Sequence, residues 1–295
     1  MFVVTGAAGF SGRNVCAALL RRGHPVRAFV KNELQARAMH ALGASQTVVG
    51  DIASAADVRR ALDGACAVYL ICPRFHENEP GIMRTWIAEA ESLRLPRFVY
   101  QGVAHPYIQA MPHHWDKLQA QLMLEQSTLP YAVIQPTNYM RNVTWAWNRL
   151  LAEGCYTLPY SATSPVTWVD AHDVAEAAAK VLTEPGHEGG AYELCGTPGG
   201  LSRAQICQLL SACLGRPIEA TTVSWGVWRQ LPRYQGWSEG QMTRLKAMFD
   251  YYDRCGFRAG NPSVLSMLLG RPATTYAQYL QGLMQLPEDQ RQAVL

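Results

Sequence analysis

From residue 2 to about 135 the chain alternates between two kinds of apolar pattern. Short runs that are apolar or β-branched almost throughout ("FVVTG", "VRAFV", "QTVVGD", "CAVYLICP", "RFVYQGV" and "YAVIQP") read as strands buried on both faces. Between them lie stretches with apolar residues at helical spacing: "RNVCAALLRRG", "ELQARAMHALG", "AADVRRALDG" and "IMRTWIAEAESLRL". Gly23, Gly43 and Gly64 stand where three of these helices should end. The alternation predicts an α/β fold, a doubly wound parallel sheet with helices on both faces.

After about residue 136 the alternation loosens. "PVTWVDAHDVAEAAAKVLTEP" predicts a strand, a turn and a helix with Asp173 as its N-cap, and "GAYELCG" predicts another strand. "LSRAQICQLLSACLGRP" predicts a helix capped by Ser202, and from Trp225 onward the chain is helical and rich in aromatic residues. The expected division is a dinucleotide-type domain over 1–150 and a smaller C-terminal α+β lobe over 151–295, with some strands and helices returning to the first core. Such a lobe belongs near the carboxyl ends of the strands, where open α/β sheets bind ligands.

The first strand runs directly into "VVTGAAGFSGRNV", with Gly6, Gly9 and Gly12 spaced GxxGxxG before a helix. A tight turn, a close backbone approach and a helix N-terminus together suit a pyrophosphate, and the strand–loop–helix context makes a dinucleotide the favoured ligand over a merely structural turn. The second strand ends "AFVKNE", so Lys31 stands where an acidic residue would hold a ribose 2′-OH. A cation there favours a 2′-phosphate, hence NADP(H), with Arg13 in reach to help; a solvated strand-end lysine is the alternative. Asp51, ending the third strand in "VVGDI", either holds an adenine edge or serves as a turn or N-cap carboxylate.

Composition narrows the partners. The 295 residues are 48% hydrophobic and 17% charged, which suits a well-buried globular chain, and the net charge of +3 gives no reason to expect nucleic acid. "MFVVTGAAGF" has no basic leader and breaks at glycine too early for a signal or membrane span, so a cytoplasmic protein is expected. The eight cysteines (Cys16, Cys66, Cys72, Cys155, Cys195, Cys207, Cys213 and Cys255) form no CxxC and no His/Cys cluster, so neither a metal site nor a disulfide framework is expected, and they read as small buried hydrophobes.

In order along the chain, "VTGAAGFSGRNV", "VRAFVKN", "VVGDI", "ALDGACAVYLICP", "VIQPTNYMRNV", "VDAHDVAEAAAKVL" and "LLGRPATTYAQYL" resemble the NmrA-like branch of the atypical short-chain dehydrogenase/reductase superfamily. The resemblance covers nearly the full length. It implies a Rossmann domain binding NADP(H), a small C-terminal substrate lobe, phosphate contacts from Gly6, Gly9, Phe10, Ser11 and Gly12, and a 2′-phosphate contact from Lys31. Asp51, Ile52, Cys72, Pro73, Gln101, Gly102, Lys117, Pro136 and Asn138 complete the cofactor residues expected at the strand ends, with "PTNY" near the nicotinamide.

In catalytic members of the superfamily a Tyr-x-x-x-Lys pair lies on the helix before "VIQP". Here "MPHHWDK" keeps the lysine as Lys117 but places His113 where the tyrosine would be, and "VYQGVAHP" offers Gln101 and Gly102 where a serine is usual. His113 suits proton transfer near neutral pH, but a histidine at a helix start is at least as often a solvated or capping residue, and His114 is the weaker candidate of the two. The expected catalytic candidates are Lys117, His113 and Tyr139. Tyr107 and His105 are possible substrate contacts, and Trp145, Trp147, Trp225 and Trp228 either line an aromatic pocket or form core. The expected function is NADPH-dependent reduction of a small apolar or aromatic acceptor (a quinone, carbonyl or imine), with monomer and homo-oligomer both left open. A silent NADP(H) sensor acting through a protein partner and a redox-neutral cyclase or isomerase are the alternatives.

Overall fold

In the computed structural model, which describes residues 1–287, the chain forms two compact units. One holds Met1–Gln109, His113–Pro136 and Ala171–Glu193; the other holds Ala110–Pro112, Thr137–Asp170 and the chain from Leu194 onward. The chain thus leaves the first unit at Pro136 and returns to it for Ala171–Glu193.

The apolar runs of the first unit are strands: β1 (Phe2–Val4), β2 (Val26–Val30), β3 (Gln46–Val49), β4 (Ala67–Leu70), β5 (Phe98–Gln101) and β6 (Tyr131–Pro136). They pair in parallel, with Val4 opposite both Ala28 and Tyr69. Gly190–Leu194 adds a seventh strand beside β6, giving the order Gly190–Leu194, β6, β5, β4, β1, β2, β3. The order reverses between β1 and β4. At such a switch point the carboxyl ends of the strands open onto a crevice, because the connections leave in opposite directions.

The helices α1 (Phe10–Arg21), α2 (Glu33–Leu42), α3 (Ala55–Leu62), α4 (Glu79–Ser92) and α5 (Pro112–Glu125) connect these strands. Gly43 ends α2 in the left-handed conformation, and Gly23 and Gly64 follow α1 and α3 with positive φ, so the stop signals in the sequence are the actual stops. α4 begins three residues before its apolar pattern does: Asn78 caps it by accepting from the Gly81 N–H at 3.1 Å, with Glu79 and Pro80 in its first turn. Trp86 of α4 is fully buried; its indole N–H donates to the Ile52 carbonyl at 2.9 Å and its ring meets Phe29 edge-on at 5.7 Å. α1 lies against the helix Ala171–Thr183, whose Ala177, Ala178 and Ala179 are fully buried.

Asp173 is not the N-cap of that helix. It lies inside the first turn and is buried, and Asp170 precedes the helix. The run "VDAHD" offers two carboxylates three residues apart, and the apolar period alone does not choose between them.

The second unit is α+β. Its short strands pair as Asn138–Tyr139 with Trp168–Val169, Pro165–Val166 with Leu201–Ser202, and Cys155–Leu158 with Glu219–Thr222. Ser202, Ser238 and Thr275 open three of its helices, each with a reciprocal bond from a glutamine three residues on. Among the described residues no helix is long and apolar enough to cross a membrane. Cys16, Cys72, Cys195 and Cys207 are buried as expected, whereas Cys66, Cys155 and Cys213 are partly exposed and Cys255 is exposed.

Candidate functional site

The glycine loop is built at the switch point. Thr5, just after β1, ties itself to the chain beyond β4: its hydroxyl donates to the Ile71 carbonyl at 2.9 Å and accepts from the Ile71 N–H at 2.7 Å. The backbone then turns at Gly6 with φ +54°, which L side chains rarely adopt, and the Gly9 N–H closes the turn onto the Gly6 carbonyl at 2.8 Å. Gly12 packs against that turn: a Cβ on it would lie 2.7 Å from the Gly6 carbonyl carbon and 2.9 Å from the Ala7 Cα. Gly6 and Gly9 are exposed, and Phe10 and Ser11 open α1 half-buried. Gly9 caps α1 without a side chain, and the first turn carries no acid, so no carboxylate of the first turn opposes the positive end of the helix dipole. This cradle fits a pyrophosphate in shape and charge.

Lys31 is exposed at the end of β2. Its backbone N–H donates to Gln35 at 2.9 Å, Asn32 caps α2, and the ammonium has no ion-pair partner among the described residues. Asp51 serves its own turn: the carboxylate accepts from the Ala53 N–H at 3.0 Å, and its N–H donates to Asp57 at 2.9 Å. Ile52 is half-buried against the core, and Cys72 is buried beside the half-buried Pro73. The Gln101 side chain accepts from the Tyr69 hydroxyl at 3.1 Å; Gly102 is buried where a Cβ would crowd Val133 at 3.3 Å; Pro136 closes β6 in the interior.

Lys117 sits at the centre of a buried polar network that no sequence pattern announces. Its ammonium donates to Glu79 Oε1 at 2.7 Å and to the Gln101 carbonyl at 3.4 Å. Glu79 is 3% exposed, and the same Oε1 accepts from the Tyr100 hydroxyl at 2.6 Å. Burial, reinforced by the Glu79 charge, pushes the Tyr100 phenol well above its ordinary value, so Tyr100 remains a donor. The Cys72 thiol is raised in the same way, first by burial and then by Glu79. Glu79 escaped the sequence reading because a carboxylate before proline at a helix start normally faces water, where it complements the helix dipole.

The solvated reading of the histidines fails for His114. It is 2% exposed, and its Nδ1 donates to the His105 carbonyl at 3.1 Å. Burial lowers its pKa to about 4, so it is neutral at physiological pH. His113 is half-buried rather than solvated, with its ring edge-on to Phe75 at 4.8 Å and to His114 at 4.6 Å. His105 stacks on the exposed Tyr107 at 5.2 Å and lies 3.7 Å from Glu193.

In the second unit Asn138 exchanges hydrogen bonds with the Tyr252 hydroxyl at 2.9 and 3.2 Å, and Tyr139 is half-buried beside it. The tryptophans divide. Trp147 and Trp228 are core, 1% and 4% exposed, and so line no open pocket. Trp225 is half-buried and Trp145 is exposed, with the Arg233 guanidinium 4.6 Å over the Trp145 ring.

A model of the NmrA-like family matches residues 1–277. The chain belongs to the NmrA-like family. It is 27% identical to an NAD(P)H azoreductase of Xenophilus azovorans over 95% of this chain and 96% of that protein. It is 30% identical to the (4-alkanoyl-5-oxo-2,5-dihydrofuran-3-yl)methyl phosphate reductase of Streptomyces griseus subsp. griseus over 74% of this chain and 75% of the relative. In structure it resembles the NADPH-dependent quinone oxidoreductase of Escherichia coli complexed with NADPH, with a TM-score of 0.81 at 24% identity, covering 97% of this chain and all of the other. The glycine loop of this chain thus follows the first strand of a Rossmann-like parallel sheet.

Proposed function

We propose that the protein is an NADPH-dependent reductase of a small, apolar or aromatic acceptor, with quinones and azo compounds the first candidates. The observation that carries this reading is the cradle of Gly6, Gly9 and Gly12 at the sheet's switch point with the exposed cation Lys31, unpaired among the described residues, at the neighbouring strand end. The two relatives named above are reductases, one of them an NAD(P)H azoreductase.

In this reading Gly6, Gly9 and Gly12, with Phe10 and Ser11, hold the pyrophosphate, and Lys31 holds the 2′-phosphate by a charge-assisted bond. Asp51 and Ile52 flank the adenine, and Cys72, Pro73, Gln101, Gly102 and Pro136 line the path to the nicotinamide. Lys117 holds the nicotinamide ribose. When bound, NADPH supplies the hydride. Reduction of a quinone to a hydroquinone then needs one further proton, for which Lys117 and His113 are the candidate donors. A quinone or azo acceptor needs little acid assistance, which suits a chain that lacks the usual tyrosine.

The test compares NADPH and NADH consumption with a panel of quinones, azo dyes, aldehydes and imines. Faster turnover with NADPH, on quinone or azo acceptors rather than aldehydes, is expected. Turnover confined to aldehydes, or NADH preferred throughout, overturns the acceptor or the cofactor assignment respectively.

A further inference from the structure

Glu79 is a buried carboxylate tied to two side chains of the first unit. Its carboxylate lies almost wholly out of water, yet it is shared by two donors from two different elements: the Tyr100 hydroxyl of β5 at 2.6 Å and the Lys117 ammonium of α5 at 2.7 Å. Tyr100 is itself fully buried, so it fixes Oε1 in place. A lysine side chain carries substantial rotamer freedom and normally extends into water, and holding one at a fixed point requires a partner that cannot move. Lys117 has such a partner, and the Gln101 carbonyl gives it a second anchor at the carboxyl end of β5.

We propose that Glu79 is a positioning residue for Lys117: pinned by Tyr100, it holds the Lys117 ammonium at the strand end where the nicotinamide ribose is bound. This rests on the reading of Lys117 as the ribose-holding residue. A buried carboxylate paired with lysine can also serve stability alone, since removing one partner leaves the other charge uncompensated. The two roles separate in a double-mutant cycle, because a residue that acts through Lys117 has nothing left to act through once the lysine is gone.

The experiment measures NADPH affinity by fluorescence titration, and turnover with a quinone, for the wild type, Lys117→Ala, Glu79→Gln and the double variant, each checked for folding by thermal melting. Glu79→Gln is expected to weaken NADPH binding roughly tenfold and to lower kcat, and to add nothing further to either in the Lys117→Ala background. If Lys117→Ala leaves affinity and turnover intact, the ribose reading fails and this inference with it. If Lys117→Ala impairs both but Glu79→Gln does not, the ribose reading stands and the positioning role is overturned. Losses from Glu79→Gln that are equal in both backgrounds also overturn it. Should Glu79→Gln not fold, Tyr100→Phe replaces it in the cycle: it keeps the carboxylate but frees Oε1. A smaller loss of NADPH affinity that vanishes in the Lys117→Ala background supports the proposal; no loss, or the same loss in both backgrounds, refutes it.

Discussion

Two single residues are expected to set the cofactor choice and part of the acid stability. Lys31 stands alone at the end of β2, where a 2′-phosphate would give it a charge-assisted partner, and exposure to solvent keeps the gain modest. NADPH is therefore expected to bind more tightly than NADH by about 1–2 kcal/mol, and Lys31→Ala should remove most of that gap without lowering the melting temperature. Calorimetric titration of both nucleotides checks this. His114 controls a different property. Burial lowers its pKa in the folded chain to about 4, so as pH falls the unfolded chain, with a histidine near its ordinary value of about 6.5, takes up the proton first. The stabilisation is complete above about pH 6.5 and is lost as pH drops toward 4, up to about 3 kcal/mol in all. Urea melts at a series of pH values should show that decline, and His114→Gln should flatten it.

At the scale of elements, the strand–loop–helix unit of β1, the glycine turn and α1 was legible in the sequence because each glycine has a local geometric reason that shows in the spacing. Gly6 takes a positive φ, and Gly12 has no room for a Cβ. Gly12→Ala should push the loop away from α1, costing about 1–3 kcal/mol and most of the NADPH affinity, as thermal melts and titration would show. The Glu79–Lys117–Tyr100 network was not legible. Its members lie 21 and 38 positions from Glu79 in sequence and meet only because β4 and β5 are neighbours and α4 and α5 follow them. Periodicity finds the apolar face of α4, beginning at Ile82, but leaves the carboxylate in its first turn unmarked. The tryptophans stayed undecided for a related reason: a side chain that suits a pocket suits a core equally well, and Trp147 and Trp228 went to the core. The burial of His114 was hidden in the same way, since the polar letters "HH" at a helix start carry no sign of the carbonyl that accepts from one of them.

For the whole molecule, the order in which strands are laid down matters more than any motif. Because β1 to β6 all run parallel, the glycine loop, Lys31, Asp51, Cys72 and Gln101 lie at the carboxyl ends of one sheet, and the reversal of strand order between β1 and β4 opens a crevice there. Family membership and the named reductases among its relatives agree with a hydride-transfer enzyme whose standard tyrosine is absent. The most direct measurement is an anaerobic single-turnover experiment in which the NADPH-loaded protein is mixed with a quinone and the nicotinamide absorbance is followed. The account predicts loss of one NADPH for each hydroquinone formed, slowed when the transferred hydrogen is deuterium and slowed much further, but still measurable, in Lys117→Ala. NADPH that binds tightly but stays unoxidised with every quinone and azo acceptor would contradict it.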